Sequence, residues 1–247
     1  MASANTALEK QLIEFVEKLK QAAGANLESV ILYGSAASGE YDAEFSNINL
    51  LVILKDTSLL KLLPVAPVIE SWTQPRNPAP LIITRNELER SADVFSIELL
   101  DIQRQHRVLF GPDAIASLQV PMNLHRAQLE YELREKLILL RQRLLIDASD
   151  EKRTWHLLLR SVSAFATLFR HALIAQGQTV PATKRESIQA IAATLVFDAS
   201  PFENLLDIRE HRADPKNFQV REIAGRYLAA VEQVTAAVDK MLDSPKK

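Results

Sequence analysis

The stretch GSAASGEYDAEFSNINLLVIL, Gly34 to Leu54, carries most of what this chain discloses about itself. Its glycine and serine follow directly on SVILY, a short β-branched run with the character of a buried strand. Glycine at that point lets the backbone turn sharply and approach a ligand closely. The Ser35 hydroxyl and the N–H groups behind it can then hold phosphate oxygens, so Gly34 and Ser35 are the candidate nucleotide-binding residues. Gly39 is expected to end the short element they open. About a dozen residues after Gly34, Asn47 and Asn49 begin a second apolar run, NINLLVIL. Strand residues at i and i+2 point to the same face, so both asparagines address one place. Two carboxylates there would be the arrangement needed to hold divalent ions around a nucleoside triphosphate.

On the N-terminal side, residues 6–23 form an amphipathic helix pattern with Leu8, Leu12, Phe15, Val16 and Leu19 on one face and Gly24 as a stop. Beyond the second strand, Leu59 to Trp72 is an apolar helical segment interrupted by Pro64 and Pro67. PLIITRNELER is a strand running into a helix that starts at Thr84, with Glu87 three residues on as in a capping box. Residues 94–102, VFSIELLDI, are expected to form a further strand, and HRVLFGPD closes the unit at Gly111 and Pro112. After Pro121 strand-like runs give way to helical periods at 124–147, 153–176, 183–195, 201–210 and 217–242. The expected fold class is therefore α+β: a mixed-sheet domain over residues 1–120 followed by an α-helical bundle over 121–247, with a cleft between them.

Bulk composition removes several function classes. The chain has no cysteine, so disulfides, thiolate chemistry and Cys-ligated zinc are excluded. No apolar run is long enough for a transmembrane helix and the N-terminus lacks the form of a secretory signal, so the expectation is a cytoplasmic protein without membrane partners. A net charge of −2 argues against nucleic acid as a partner. Residues 1–120 carry 10 basic against 15 acidic residues, and residues 121–247 carry 19 against 16. The surplus in the second half could attract phosphate. The five histidines are scattered and none has a helical metal-ligand partner. Arg134, Lys136, Arg141 and Arg143 alternate with Glu130, Glu132 and Glu135, the pattern of a solvated helix face laced with i, i+4 pairs.

The pattern of strand, Gly34-Ser35, spacer and Ser46-Asn47-Ile48-Asn49-Leu50 resembles the nucleotidyltransferase superfamily, the group containing polymerase β, the aminoglycoside nucleotidyltransferases and the minimal nucleotidyltransferases. The resemblance covers roughly residues 27–113. It implies an Asp-x-Asp pair where this chain has Asn47 and Asn49, and a third carboxylate from a later strand, for which Glu98 or Asp101 in FSIELLDI is the match. It also implies transfer of a nucleoside monophosphate from a triphosphate to a hydroxyl, with Mg²⁺ bound by the carboxylates. The family's RNase-type helical partner carries an Arg followed by a His four to six residues on. That spacing occurs nowhere in this chain, so such an activity is disfavoured for the second half.

Two asparagines change that chemistry. An amide offers one neutral oxygen where a carboxylate offers two charged ones. Each lost charge at contact with a dication weakens the attraction by several kcal/mol at an effective dielectric near ~20. The expectation is a catalytically inactive protein of this fold, with no resident metal or cofactor, retained to bind a nucleotide, a protein partner or a second copy of itself. The alternatives are an active transferase using Mg²⁺ with its triphosphate, rescued by other ligands such as Asp42 or Glu44, an Asn-substituted form of an active enzyme, and a pure interaction protein.

Overall fold

The computed structural model describes residues 2–38, 44–73 and 77–243. The chain divides into two compact units, 1–121 and 122–247. Gly39 and Asp42 of the sequence reading, and part of the TQPRNPAP connector, lie outside the described residues.

In the first unit, helix α1 (Ala2–Ala23) leads into strand β1 (Leu27–Tyr33), the one-turn helix α2 (Ser35–Ser38) and strand β2 (Asn49–Leu54). Helices α3 (Leu59–Leu62) and α4 (Ala66–Trp72) follow, joined through a 3₁₀ turn at Pro64, where the ring removes a helical hydrogen bond. Strand β3 (Leu81–Thr84), helices α5 (Arg85–Arg90) and α6 (Ser96–Arg104), and strand β4 (His106–Phe110) complete it. Thr84 and Glu87 form the expected capping box, each side chain taking up the other residue's backbone N–H. The sheet order is β3-β2-β1-β4, with β2 and β3 parallel and the other two pairings antiparallel.

Both faces of this sheet are covered. Leu50, Val52 and Leu54 of β2 pack with Leu8, Leu12, Phe15 and Leu19 of α1, while Leu51 and Ile53 pack with Leu88 of α5 and Leu99 and Ile102 of α6. A strand buried on both sides has no polar stripe to set its register. Groups at the strand ends set it instead. Asn26 donates from its side-chain amide to the Asp56 carbonyl at 3.0 Å and accepts from the Asp56 N–H at 3.0 Å. At the β1–β4 edge the buried Ser29 hydroxyl lies 3.1 and 2.8 Å from the carbonyls of Phe110 and Pro112. Gly111 follows with φ +75°, and a Cβ there would fall 2.0 Å from the Glu28 carbonyl oxygen.

Residues 94–102 correct the sequence reading. They form no strand: Val94 and Phe95 are about half exposed and Ser96–Arg104 is helix α6. Its buried Ile97, Leu99 and Ile102 mix both periods, and the alternation in the sequence hides a helix rich in Leu, Glu, Gln and Arg. The place beside β1 is taken by β4, so VFSIELLDI covers the sheet rather than joining it.

The second unit consists of α7 (His125–Ile146), α8 (Glu151–Ala175), α9 (Lys184–Leu195), α10 (Ser200–Arg209) and α11 (Val220–Asp243). Its core centres on α8, where Phe165 and Phe169 meet Phe202 of α10 and Tyr227 of α11. Tyr227 is fully buried; burial pushes its hydroxyl well above the usual tyrosine range, against a 2.9 Å hydrogen bond with Ser161. Helix α8 is long and apolar enough to cross a membrane, but 61% of its most apolar stretch is buried in the fold, as in a central core helix.

Two backbone positions give opposed expectations. Gly111→Ala puts a methyl group into the Glu28 backbone in a left-handed conformation, and should cost at least about 2 kcal/mol. Val196, at the α9 C-cap, holds φ +55° with its side chain 85% exposed. Val196→Gly therefore removes strain without losing burial and should stabilise by about 0.5–1 kcal/mol. Urea unfolding of the two variants against the parent checks both signs.

Candidate functional site

The Gly34 turn is held from two sides. Its N–H donates to the Gln105 carbonyl, between α6 and β4, at 3.2 Å, and its carbonyl accepts from Ala37 and Ser38 at 2.9 and 3.2 Å. The glycine sits at φ +76°, a conformation that side chains disfavour. A Cβ on it would lie 3.3 Å from the side-chain amide nitrogen of Asn49. The turn and the first residue of β2 are thus in near contact, as a site shared by Gly34, Ser35 and Asn49 requires.

Strand pairing accounts for that closeness. Tyr33, the last residue of β1, stands opposite Asn49 on one side and His106 on the other. Directly opposed residues put their side chains on one face of the sheet. This is the face covered by α6, since Tyr33 packs with the cluster containing Leu99 and Ile102. Asn49 is half-buried, whereas Asn47 is exposed and lies before the strand begins. The expected strand NINLLVIL starts two residues late, and Asn47 belongs to the approach rather than the ladder.

The two candidates for a third acid are helix residues. Glu98 is exposed on the first turn of α6, and Asp101 is half-buried one turn further on. Glu98 belongs to the neighbourhood of the turn: burial raises the Tyr33 hydroxyl above the usual tyrosine range, and the negative charge of Glu98 raises it further. Strand β3, which lies beside β2, reads Leu81-Ile82-Ile83-Thr84 and offers no carboxylate. Glu44 of the spacer is exposed. Among the described residues no group of three His, Asp or Glu side chains could hold a metal ion.

A histidine–aspartate pair with no counterpart in the sequence reading stands at the same end of the sheet. The His106 ring lies 2.9 Å from the Ile102 carbonyl through Nδ1 and 2.9 Å from Asp113 Oδ2 through Nε2. Partial burial works against the Asp113 charge, but the hydrogen bond with His106 and those from the Ala116 and Ile115 N–H groups outweigh it and hold its carboxyl below the usual range. In the sequence His106 is one of five scattered histidines, and nothing there signals its position at the start of β4, opposite Tyr33. On the other side of β4, Arg107 is engaged by Glu9 at 2.8 Å.

A similar fold exists among solved structures. The crystal structure of spectinomycin adenyltransferase AAD(9) from Enterococcus faecialis with ATP and spectinomycin matches with a TM-score of 0.54, over 91% of this chain and 98% of that one. The chain has a nucleotidyltransferase-like fold. Sequence identity to the adenyltransferase is 15%, so the likeness is one of fold. No protein-family model matches the chain, and no curated protein sequence does. The nucleotidyltransferase-like domain and its helical bundle agree with the α+β class expected from sequence.

The Asp113 pair gives a pH expectation. A carboxyl whose folded pKa is depressed adds stability above its unfolded value, near ~3.9, and loses that contribution as pH falls through the folded pKa. Asp113→Asn should therefore shift the acid end of the stability curve, below about pH 4, with the smaller slope in the variant. Urea midpoints measured from pH 7 down to pH 3 on parent and variant read the difference directly.

Proposed function

We propose that this chain is a nucleotidyltransferase-fold protein that binds a nucleotide by its phosphates and does not transfer it. The observation that carries this reading is Asn49, held 3.3 Å from where a Gly34 Cβ would stand and therefore beside the turn at which phosphate is expected. A neutral amide at that point leaves the turn free to accept phosphate oxygens through N–H groups and the Ser35 hydroxyl, yet provides no charge to hold a dication. Helix α2 has only one turn, so its contribution comes from these local donors rather than from a helix dipole.

The donor set does not fit the metal ions that the superfamily implies. Asn47 is exposed outside the strand, Asn49 is an amide, β3 lacks an acid, and Glu98 stands on a helix. Two-metal transfer therefore has no set of ligands among the described residues. The solved adenyltransferase of similar fold was crystallised with ATP, which supports ATP as the first nucleotide to test.

Calorimetric titration with ATP is expected to give binding that is unchanged when Mg²⁺ is replaced by EDTA, and Ser35→Ala should weaken it roughly tenfold. Incubation with α-labelled ATP and a panel of hydroxyl acceptors should leave no label in any product. Mg²⁺-dependent incorporation would overturn the reading and restore an active transferase.

Restoring the acids gives a separate check. The double variant Asn47→Asp, Asn49→Asp should bind Mn²⁺ at least about tenfold more tightly than the parent, from the two charges regained beside the turn. Calorimetry with Mn²⁺ alone measures it, and equal affinities would count against Asn49 and Asn47 facing a common site.

A further inference from the structure

The helical unit has a groove of its own. The last turn of α7 and the first three turns of α8 enclose an open cleft of about 500 Å³ lined by Arg143, Asp147, Lys152, Arg153, His156, Leu157 and Arg160. Four permanent cations thus face one carboxylate. Lys152, His156 and Arg160 follow one another at i, i+4 and i+8, so they form a single stripe along α8, with Arg143 opposite them on α7.

These cations differ from the neighbouring cations of α7 in what answers them. On the same α7, Arg134 is paired with Glu130 at 2.6 Å and with Asp239 at 2.7 Å, and Lys136 with Glu132. Arg141 is paired with Glu232 at 2.8 Å. In the groove Arg153 has a 3.4 Å contact with Asp150, but no ion pair is made by Arg143, Lys152 or Arg160 among the described residues. Unanswered like charges gathered in one concavity repel one another. Such a cluster is stabilised when an anion of matching charge density enters, and guanidinium groups suit phosphate because of their forked donors.

We infer that the α7–α8 groove is an oligophosphate-binding site, in which Arg143, Lys152 and Arg160 hold the phosphate oxygens and Arg153 contributes from the rim. The inference is independent of the Gly34–Ser35 reading, since it concerns residues of the second unit alone. The shared chemistry is a chain of two or three phosphates, whose source is a free oligophosphate or the tail of a nucleotide. The surplus of cations also excludes polyamines.

The test is calorimetry on the full chain with inorganic tripolyphosphate, ATP and spermidine, repeated on the Lys152→Glu, Arg160→Glu double variant and on Ser35→Ala. The three substituted residues lie at exposed or turn positions, and circular dichroism melts confirm that each variant is folded. Tripolyphosphate is expected to bind, to weaken with added salt, and to lose at least about tenfold in affinity in the double variant, a loss that Ser35→Ala does not reproduce. Spermidine should show no binding to the parent. ATP binding more tightly than tripolyphosphate, with the excess also lost in the double variant, assigns the groove to a nucleotide tail; equal affinities assign it to a free oligophosphate. Absence of tripolyphosphate binding, undiminished affinity in the double variant, or spermidine binding at the groove would each overturn the inference. Loss of ATP binding in Ser35→Ala with tripolyphosphate binding intact separates the fate of this site from that of the Gly34 turn.

Discussion

The antiparallel ladder between β1 and β2 is the constraint on which the first unit depends. It pairs Tyr33 with Asn49 and so delivers the first residue of β2 to the Gly34 turn. Because Leu50, Val52 and Leu54 enter one core and Leu51 and Ile53 the other, a slip of one residue would exchange apolar side chains for apolar side chains. Hydrophobic burial alone barely resists it. What resists it is polar and local: the paired bonds between Asn26 and Asp56 hold β2, and the Ser29 bonds beside Gly111 hold β4 in the same way on the other edge of β1. Each such bond contributes only ~1 kcal/mol net, but a slip of β1 against β4 would leave buried Ser29 without its acceptors, a cost of ~1–3 kcal/mol in addition. The geometry of the candidate site is therefore set by a few hydrogen bonds at strand ends.

That register places residue 49 by backbone pairing, so its side chain can be an amide without disturbing the fold. Asn49 occupies a half-buried place next to a backbone turn, where an uncharged amide is easier to desolvate than a carboxylate. Without a dication, a carboxylate pair would concentrate negative charge beside Tyr33, whose hydroxyl already feels the charge of Glu98. The amides relieve that repulsion. The sheet, its two covering layers and the Gly34 turn are held by apolar packing and backbone hydrogen bonds.

The parts legible in the sequence share a physical trait: their signal is local. The SVILY and NLLVIL strands, the Thr84–Glu87 capping box and the α7, α8 and α11 stripes are each fixed by residues within one or two turns. The Gly34 turn is legible because glycine at positive φ has few substitutes. The failures are non-local. VFSIELLDI has the composition of either element, and only the occupation of the place beside β1 by His106–Phe110 decides that it forms a helix. Once it is a helix, Glu98 and Asp101 cannot present themselves as strand carboxylates, and the third acid of the superfamily pattern has no counterpart on β3. His106 and Asp113 come together across a strand and a loop, a pairing that spacing does not reveal.

Charge completes the account. The excess of basic residues after position 120 is small when counted, and Arg134, Arg141, Arg185 and Arg226 are paired with carboxylates of the same unit once the helices pack. Packing also separates what the count merges: carboxylates of α7 and α11 answer the cations of α7, while Lys152 and Arg160 of α8 make no ion pair among the described residues. Under the proposed metal-free reading, phosphate would have to be neutralised by side chains and N–H groups. In the first unit Arg107 is committed to Glu9, and the Gly34, Ala37 and Ser38 N–H groups donate to backbone carbonyls. Uncommitted cations share a concavity in the α7–α8 groove, and an oligophosphate there needs no metal to be held.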